Sequence, residues 1–181
     1  IGSGNTEKVG NSNPDFMFGW SNTLSYKRLS LYFLIDARVG GDVLSQTQAE
    51  LDYRGVSVNS GKARDRGYVE YGGHRFTDVL RFYNHVSSRN GTITEYYMYS
   101  ATNIRLRELS LAYSLPRSIL EKTKVIHGLD LSLIARNLFF FHKDAPFDPD
   151  AVMSTDNSCQ GVDVFGMPTT RSIGFNVKFT F

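Results

Sequence analysis

The chain has 181 residues, with 20 Lys and Arg against 18 Asp and Glu for a net charge of +2, and 41% of its residues are hydrophobic. Its mean hydropathy is −0.27, and no stretch approaches the roughly 18 apolar residues that a membrane-spanning helix requires. The basic residues are scattered, without the stripe that phosphate binding leaves, which argues against nucleic acid as a partner. The single cysteine, Cys159, excludes an internal disulfide and a thiolate metal cluster.

In chain order, the first regular signal is strict alternation over residues 16–28. Phe16, Phe18, Trp20, Leu24 and Tyr26 fall in one phase, and Gly19, Ser21, Thr23, Ser25 and Lys27 in the other. Side chains on a strand alternate with period two, so the segment has one apolar and one polar face. Residues 29–39 repeat the pattern, with Leu29, Leu31, Phe33, Ile35, Ala37 and Val39 opposite Ser30, Tyr32, Leu34, Asp36 and Arg38. Tyr26-Lys27-Arg28-Leu29 predicts a short turn between them. The alternation then fails from about residue 40 to 100, which predicts a long loop whose aromatic residues form a small core of their own. Among these, Tyr68, Tyr71, Phe76 and Tyr83 are the candidate ligand or partner contacts.

Residues 101–115 alternate again, but Ile104 and Leu106 lie on one parity and Leu109, Leu111, Tyr113 and Leu115 on the other. A β-bulge near Arg107-Glu108 would reconcile the two phases; the alternative is that Ile104 and Leu106 lie above the membrane and pack against the long loop. Pro116 ends this strand and Ser118 to Lys122 allow one helical turn. A further strand over 127–141 carries Leu129, Leu131, Leu133, Ala135 and Phe139 on one face. Residues 142–168 read as a second loop. Its aspartates, Asp144, Asp148, Asp150, Asp156 and Asp163, could ligate calcium, yet they lack the offsets and central glycine of a Ca²⁺ loop, so a solvated acidic loop and no cofactor is the expectation. The last strand, 169–181, carries Ile173, Phe175, Val177, Phe179 and Phe181 on one face.

Five amphipathic segments of ten or more residues exceed the five or six usual in soluble sheets and match tilted strands crossing a bilayer. The predicted fold class is all-β: about five strands at the C-terminal end of a large antiparallel transmembrane barrel in the outer membrane, with long extracellular loops and short periplasmic turns. Five strands cannot close a barrel, so the remaining strands are expected elsewhere in a longer parent, as is a signal peptide. Asp36, Arg38, Arg136 and Lys178 are the candidate lumen-facing residues, joined by Arg105 and Arg107, while Phe175, Val177, Phe179 and Phe181 are candidates for a barrel-assembly signal. No Gly-x-Ser-x-Gly elbow, metal-spaced histidine pair or phosphate-cradling loop is present, so the expectation is that the protein is not an enzyme. A passive porin or adhesin barrel and a soluble carbohydrate-binding β-sandwich are the alternatives.

Five blocks carry a resemblance: Gly10-Asn11-Ser12-Asn13-Pro14-Asp15-Phe16, Ile35-Asp36-Ala37-Arg38-Val39-Gly40-Gly41-Asp42-Val43, Ile104 through Pro116, Ala135-Arg136-Asn137-Leu138-Phe139 and Phe147-Asp148-Pro149-Asp150. With the Phe181 strand and in this order, they resemble the final part of SusC/RagA-type TonB-dependent outer-membrane transporters. That resemblance implies a plugged barrel of about 22 strands beneath a SusD-like lipoprotein lid. It further implies import of glycans or peptides, energised by the TonB complex through the plug, and insertion by the barrel-assembly machinery. It assigns no substrate-binding residue within these blocks.

Overall fold

The computed structural model describes residues 7–87, 94–120, 125–154, 156 and 159–181. In chain order its elements are β1 (Phe16–Tyr26), β2 (Leu29–Val39), β3 (Asp42–Ser45), α1 (Gln46–Tyr53), α2 (Val58–Arg66), β4 (Val69–Tyr71), β5 (His74–Phe76), α3 (Val79–Val86), a 3-10 turn (Thr94–Tyr97), β6 (Met98–Ser100), β7 (Asn103–Ser114), α4 (Arg117–Leu120), β8 (Gly128–Lys143), β9 (Val162–Asp163) and β10 (Ser172–Thr180). They form two compact units: a sheet unit of residues 15–39, 102–146 and 168–181, and a loop unit of 1–14, 40–101 and 147–167.

The sheet unit is a five-stranded antiparallel meander in the order β1-β2-β7-β8-β10. Its register aligns the apolar residues of all five strands in rows, because directly opposed residues of antiparallel neighbours share a face. One row is Leu24–Leu31–Leu111–Leu133–Phe175, and the next toward the β1–β2 turn is Tyr26–Leu29–Tyr113–Leu131–Val177. Toward the other end stand Phe16, Phe18, Trp20, Phe139 and Phe141, with Trp20 edge-on to Phe33 at 5.3 Å and Phe139 edge-on to Phe141 at 4.9 Å. Aliphatic rows thus lie between two aromatic ends. Ten residues separate Phe16 from Tyr26, about 33 Å along the strand at 3.3 Å per residue; tilted by about 40°, that covers an apolar band about 25 Å tall.

This face is uncovered. Trp20 is 48% exposed, Leu24 55% and Phe175 67%, whereas a soluble sandwich would bury such a face against a second sheet.

The bulge expected near Arg107 is present: Leu34 opposes Glu108 and Ile35 opposes Leu106, leaving Arg107 as the extra residue. On β8 the register shifts at the same level, between Leu106–Phe139 and Glu108–Arg136, where Asn137 adopts φ 51°. Lys27 in the two-residue β1–β2 turn also has positive φ, at 55°. Strand limits differ from the sequence reading by one to three residues in four of the five strands. β1 stops at Tyr26, β7 spans Asn103–Ser114, β10 spans Ser172–Thr180, and β8 starts at Gly128 and continues to Lys143, into the stretch expected to be loop. That extension passes two irregularities: beyond the bulge at Asn137 Phe140 pairs with Arg105, and a second register shift between Ile104 and Arg105 sets Lys143 against Asn103.

The loop unit corrects the expectation of an irregular loop over 40–100, because its described residues include three short helices, each started by a side-chain cap. Ser45 Oγ accepts from Gln48 N (3.1 Å), Ser57 Oγ from Ser60 N (2.9 Å) and Asp78 Oδ1 from Arg81 N (2.9 Å). α2 ends on Gly67 at φ 80°, a left-handed cap that glycine adopts without steric cost. Val79, Phe82, Tyr83 and Val86 recur at helical spacing on α3, and the last three are buried with Ala63, Val69 and Tyr97 in one core. β3 pairs antiparallel with β6 and parallel with β9, tying residues 147–167 to this core.

Candidate functional site: the polar face of the sheet and the folded loop

Opposite the apolar rows, the sheet carries a polar face, and the bulge at Arg107 shapes it. Without the extra residue Arg107 and Glu108 would point to opposite sides; with it, Arg105, Arg107 and Glu108 all reach polar-face partners. Asp36 on β2 accepts from Arg107 Nε at 3.1 Å and through a second, shorter contact from the same guanidinium. Arg105 Nε stands 3.8 Å from the same carboxylate oxygen, with its guanidinium 5.6 Å from the centre of the Phe140 ring. Arg136 Nε lies 3.3 Å from Glu108 Oε2. Of these side chains Arg105 is 2% exposed, Arg107 41% and Arg136 61%, so Arg105 is a fixed interior charge while the other two meet solvent.

Toward the β1–β2 turn the face changes character. Ser25, Ser30, Ala112, Ser132 and Asn176 form a small, neutral row. Beyond it Ser114 Oγ donates to Asp130 at 2.6 Å, and Lys178 is the β10 register partner of Asp130. All four sequence-derived lumen candidates, Asp36, Arg38, Arg136 and Lys178, stand on this one face, with Arg38 opposite Asn103.

Sequence reasoning missed Asn137. Its side chain donates to Thr170 O at 3.2 Å, so the bulge residue of β8 also fixes the segment leading into β10. Asn tolerates positive φ better than other non-glycine residues, and an Asn inside an alternating run was the available signal.

In the loop unit the four candidate aromatics separate. Tyr83 is buried at 5% exposure, and Tyr71 and Phe76 pack against the same core, with ring centroids 6.2 Å and 5.1 Å from Phe82. Their rings are committed to folding the loop. Tyr68 differs: the Arg66 and Arg75 guanidinium groups lie 4.9 Å and 4.1 Å from its ring centre, and Arg75 is paired with Glu70 at 2.9 Å. Arg75, Phe76, Thr77, Asp78, Arg81, Phe82 and His85 line a shallow groove of about 480 Å³ beside it.

Asp52 is buried at the centre of this unit. It accepts from Gln48 Nε2 at 3.0 Å and, through a shorter contact, from Ser57 Oγ. Burial raises its carboxyl above the ordinary 3.8 even though these donors, and the Tyr97 hydroxyl, pull it down. Tyr96 and Tyr97 are raised well above the ordinary phenol range, first by burial and then by neighbouring charge, that of Asp52 foremost for Tyr97. The two phenols therefore keep their protons near neutral pH, which suits a structural core.

The aspartates expected as calcium candidates serve separate local contacts. Asp163 accepts from Ser45 Oγ at 2.7 Å, Asp148 from Asp150 N at 3.2 Å, and Asp144 meets His142 at 2.8 Å. Among the described residues no three His, Cys, Asp or Glu converge on a metal position. The candidate assembly residues Phe175, Val177, Phe179 and Phe181 all lie along the exposed apolar face or its end, Phe179 and Phe181 with ring centroids 6.3 Å apart.

No protein-family model matches the chain. It is 31% identical to the TonB-dependent receptor P3 of Formosa agariphila over 99% of its own length and 18% of that protein's, and 28% identical to receptor P39 of the same organism over 94% and 17%. In fold it resembles the RagAB peptide importer in the closed-closed state, with a TM-score of 0.69 at 21% identity over 94% of this chain and 18% of that one. The open-open state of RagAB gives 0.60 at 22% identity over 94% and 17%. The matched relatives are receptors and transporters rather than enzymes. By these likenesses the chain belongs to the TonB-dependent receptors, as a segment spanning less than a fifth of the length of the relatives it matches.

Proposed function

We propose that this chain supplies part of the wall and outer loops of an outer-membrane importer of the SusC/RagA type, at the C-terminal end of its barrel. The single observation that carries the reading is the two-faced sheet. Apolar rows about one bilayer tall are uncovered on one side and a charged face on the other, as a barrel wall requires between lipid and an aqueous lumen. In this reading β1 and β10 pair with strands of the parent, since an open sheet edge in lipid leaves backbone groups unsatisfied. The loop unit stands outside the membrane beneath a SusD-like lipoprotein, and the TonB complex acts through a plug carried by the parent. The cargo is a glycan or a peptide.

The test is fractionation of native membranes with an antibody against residues 142–168. A heat-modifiable outer-membrane polypeptide several times longer than this chain, co-purifying with a lipoprotein, is the expected result. A soluble polypeptide unchanged by boiling would overturn the reading, and a heat-modifiable barrel without a plug would give a porin instead. The aromatic end of β10 is in the same reading the segment engaged by the barrel-assembly machinery. Phe181→Ala in the full receptor should lower surface levels about two- to tenfold, by analogy with loss of a recognition contact worth about 0.5–1.4 kcal/mol; undiminished surface levels would remove that role.

A further inference from the structure

The polar face is not evenly charged, and the asymmetry is built rather than incidental. At the end where β2, β7 and β8 are bulged, five cations, Arg38, Arg105, Arg107, Arg136 and Lys143, share the face with two carboxylates, Asp36 and Glu108. At the β1–β2 turn end Asp130 and Lys178 are balanced one to one. The register shift on β7 brings Arg107 to the side of Arg105, and the one on β8 sets Arg136 against Glu108 rather than past it. Asp36 binds two guanidinium groups and so neutralises one of them.

From this cluster, and resting on the reading of the polar face as lumen wall, we infer that the receptor selects cargo bearing carboxylates, captured at the bulged end by Arg107 and Arg136. The roles divide by burial. Arg105, 2% exposed and stacked near Phe140, keeps the charge fixed and cannot turn away. Arg107 and Arg136 are 41% and 61% exposed, each with one edge of its fork toward Asp36 or Glu108. A guanidinium has five donors, so the remaining edge is free to take a carboxylate in two parallel hydrogen bonds. A narrow, low-dielectric wall with an excess of one sign also concentrates counter-charged solute ahead of contact. Acidic oligopeptides and acidic oligosaccharides share this chemistry, and the probes must tell them apart.

The experiment is equilibrium binding to the purified full-length receptor of four probes: a hexaglutamate peptide, its hexaglutamine counterpart, an oligogalacturonate and a neutral oligosaccharide of equal length. At least one acidic probe should bind about tenfold more tightly than its neutral counterpart at low salt, with the gap closing at high salt. Which acidic probe shows the gap identifies the source of the carboxylate. R107Q/R136Q should narrow the gap to within about twofold, while K178Q, at the balanced end, should leave it unchanged. Equal binding of acidic and neutral probes, or a gap that survives R107Q/R136Q, overturns the inference. If Arg136→Cys, made in a Cys159→Ser background, resists a membrane-impermeant thiol reagent in the intact receptor, the lumen reading itself falls, which is a distinct failure.

Discussion

The two units of this chain obey opposite solvation rules. In the sheet unit large apolar side chains point outward, with Phe16, Tyr26, Ile173 and Phe175 all more than half exposed, while a guanidinium, Arg105, is among the most buried side chains. In the loop unit Phe82, Tyr83, Val86 and Tyr97 are buried and the charged residues of α2, Lys62, Arg64, Asp65 and Arg66, are exposed, as in an ordinary water-soluble domain. The contrast teaches that one polypeptide is written for two solvents. Burial in the isolated chain is therefore no measure of the sheet's stability, because the surface it presents is stabilised by lipid.

The sharpest way to break this comparison is to damage each unit and ask whether the other notices. Phe82→Ala removes the ring that contacts Tyr71, Phe76, Tyr83 and Tyr96, and should destabilise the loop unit by about 3–5 kcal/mol. Hydrogen exchange should show protection lost over residues 44–87 while barrel insertion is unchanged; a parallel loss of insertion would mean the two units fold as one. Leu133→Arg, in the middle apolar row, should cost about 2–4 kcal/mol of insertion into bilayers, whereas Ser132→Arg on the other face should cost less than about 1 kcal/mol. Equal costs, measured by reversible folding into vesicles, would cancel the assignment of faces.

A smaller effect concerns pH and belongs to the loop unit alone. Tyr96 and Tyr97 are raised above the ordinary phenol value of 10.0, so the folded unit binds more protons than the unfolded one above that pH. Their contribution is whole below pH about 10 and is lost as pH rises further, and the loop should melt in alkali before the sheet. The Asp52 carboxyl, also raised, contributes stability that is whole below 3.8 and is lost as pH rises through its higher folded value. Asp52→Asn should flatten that acid-side slope in a thermal melt followed over pH 4–7; an unaltered slope would assign it to another group.

Much of this was legible in the sequence, and the reason is the strand period. Five alternating runs located five strands, and the phase break between Leu106 and Leu109 located the bulge without any structural information. The loop unit was not legible as helices, because α1 and α2 are short and polar, with Asp52 and Ser60 at buried positions and a single small apolar residue, Ala63, beside them. Only α3 carried the helical spacing, over eight residues, too few to separate from a strand or loop by periodicity. A small aromatic core is expected in this loop, but without the helices its membership among the candidates could not be read, and Tyr71, Phe76 and Tyr83 belong to it or pack against it while Tyr68 does not.

The most direct measurement is depth-resolved quenching by spin-labelled lipids in the full-length receptor, with single fluorophore-labelled cysteines placed at Leu24, Leu111, Leu133 and Phe175 and at Ser30, Ala112, Ser132 and Asn176. The first four form one apolar row and the second four the neutral row beside it on the opposite face. Strong quenching confined to the first set, with a depth that changes steadily by about 3 Å per strand from Leu24 to Phe175 as the strand tilt requires, is the predicted result. Quenching of both sets alike, or of neither, would contradict a wall that divides lipid from lumen.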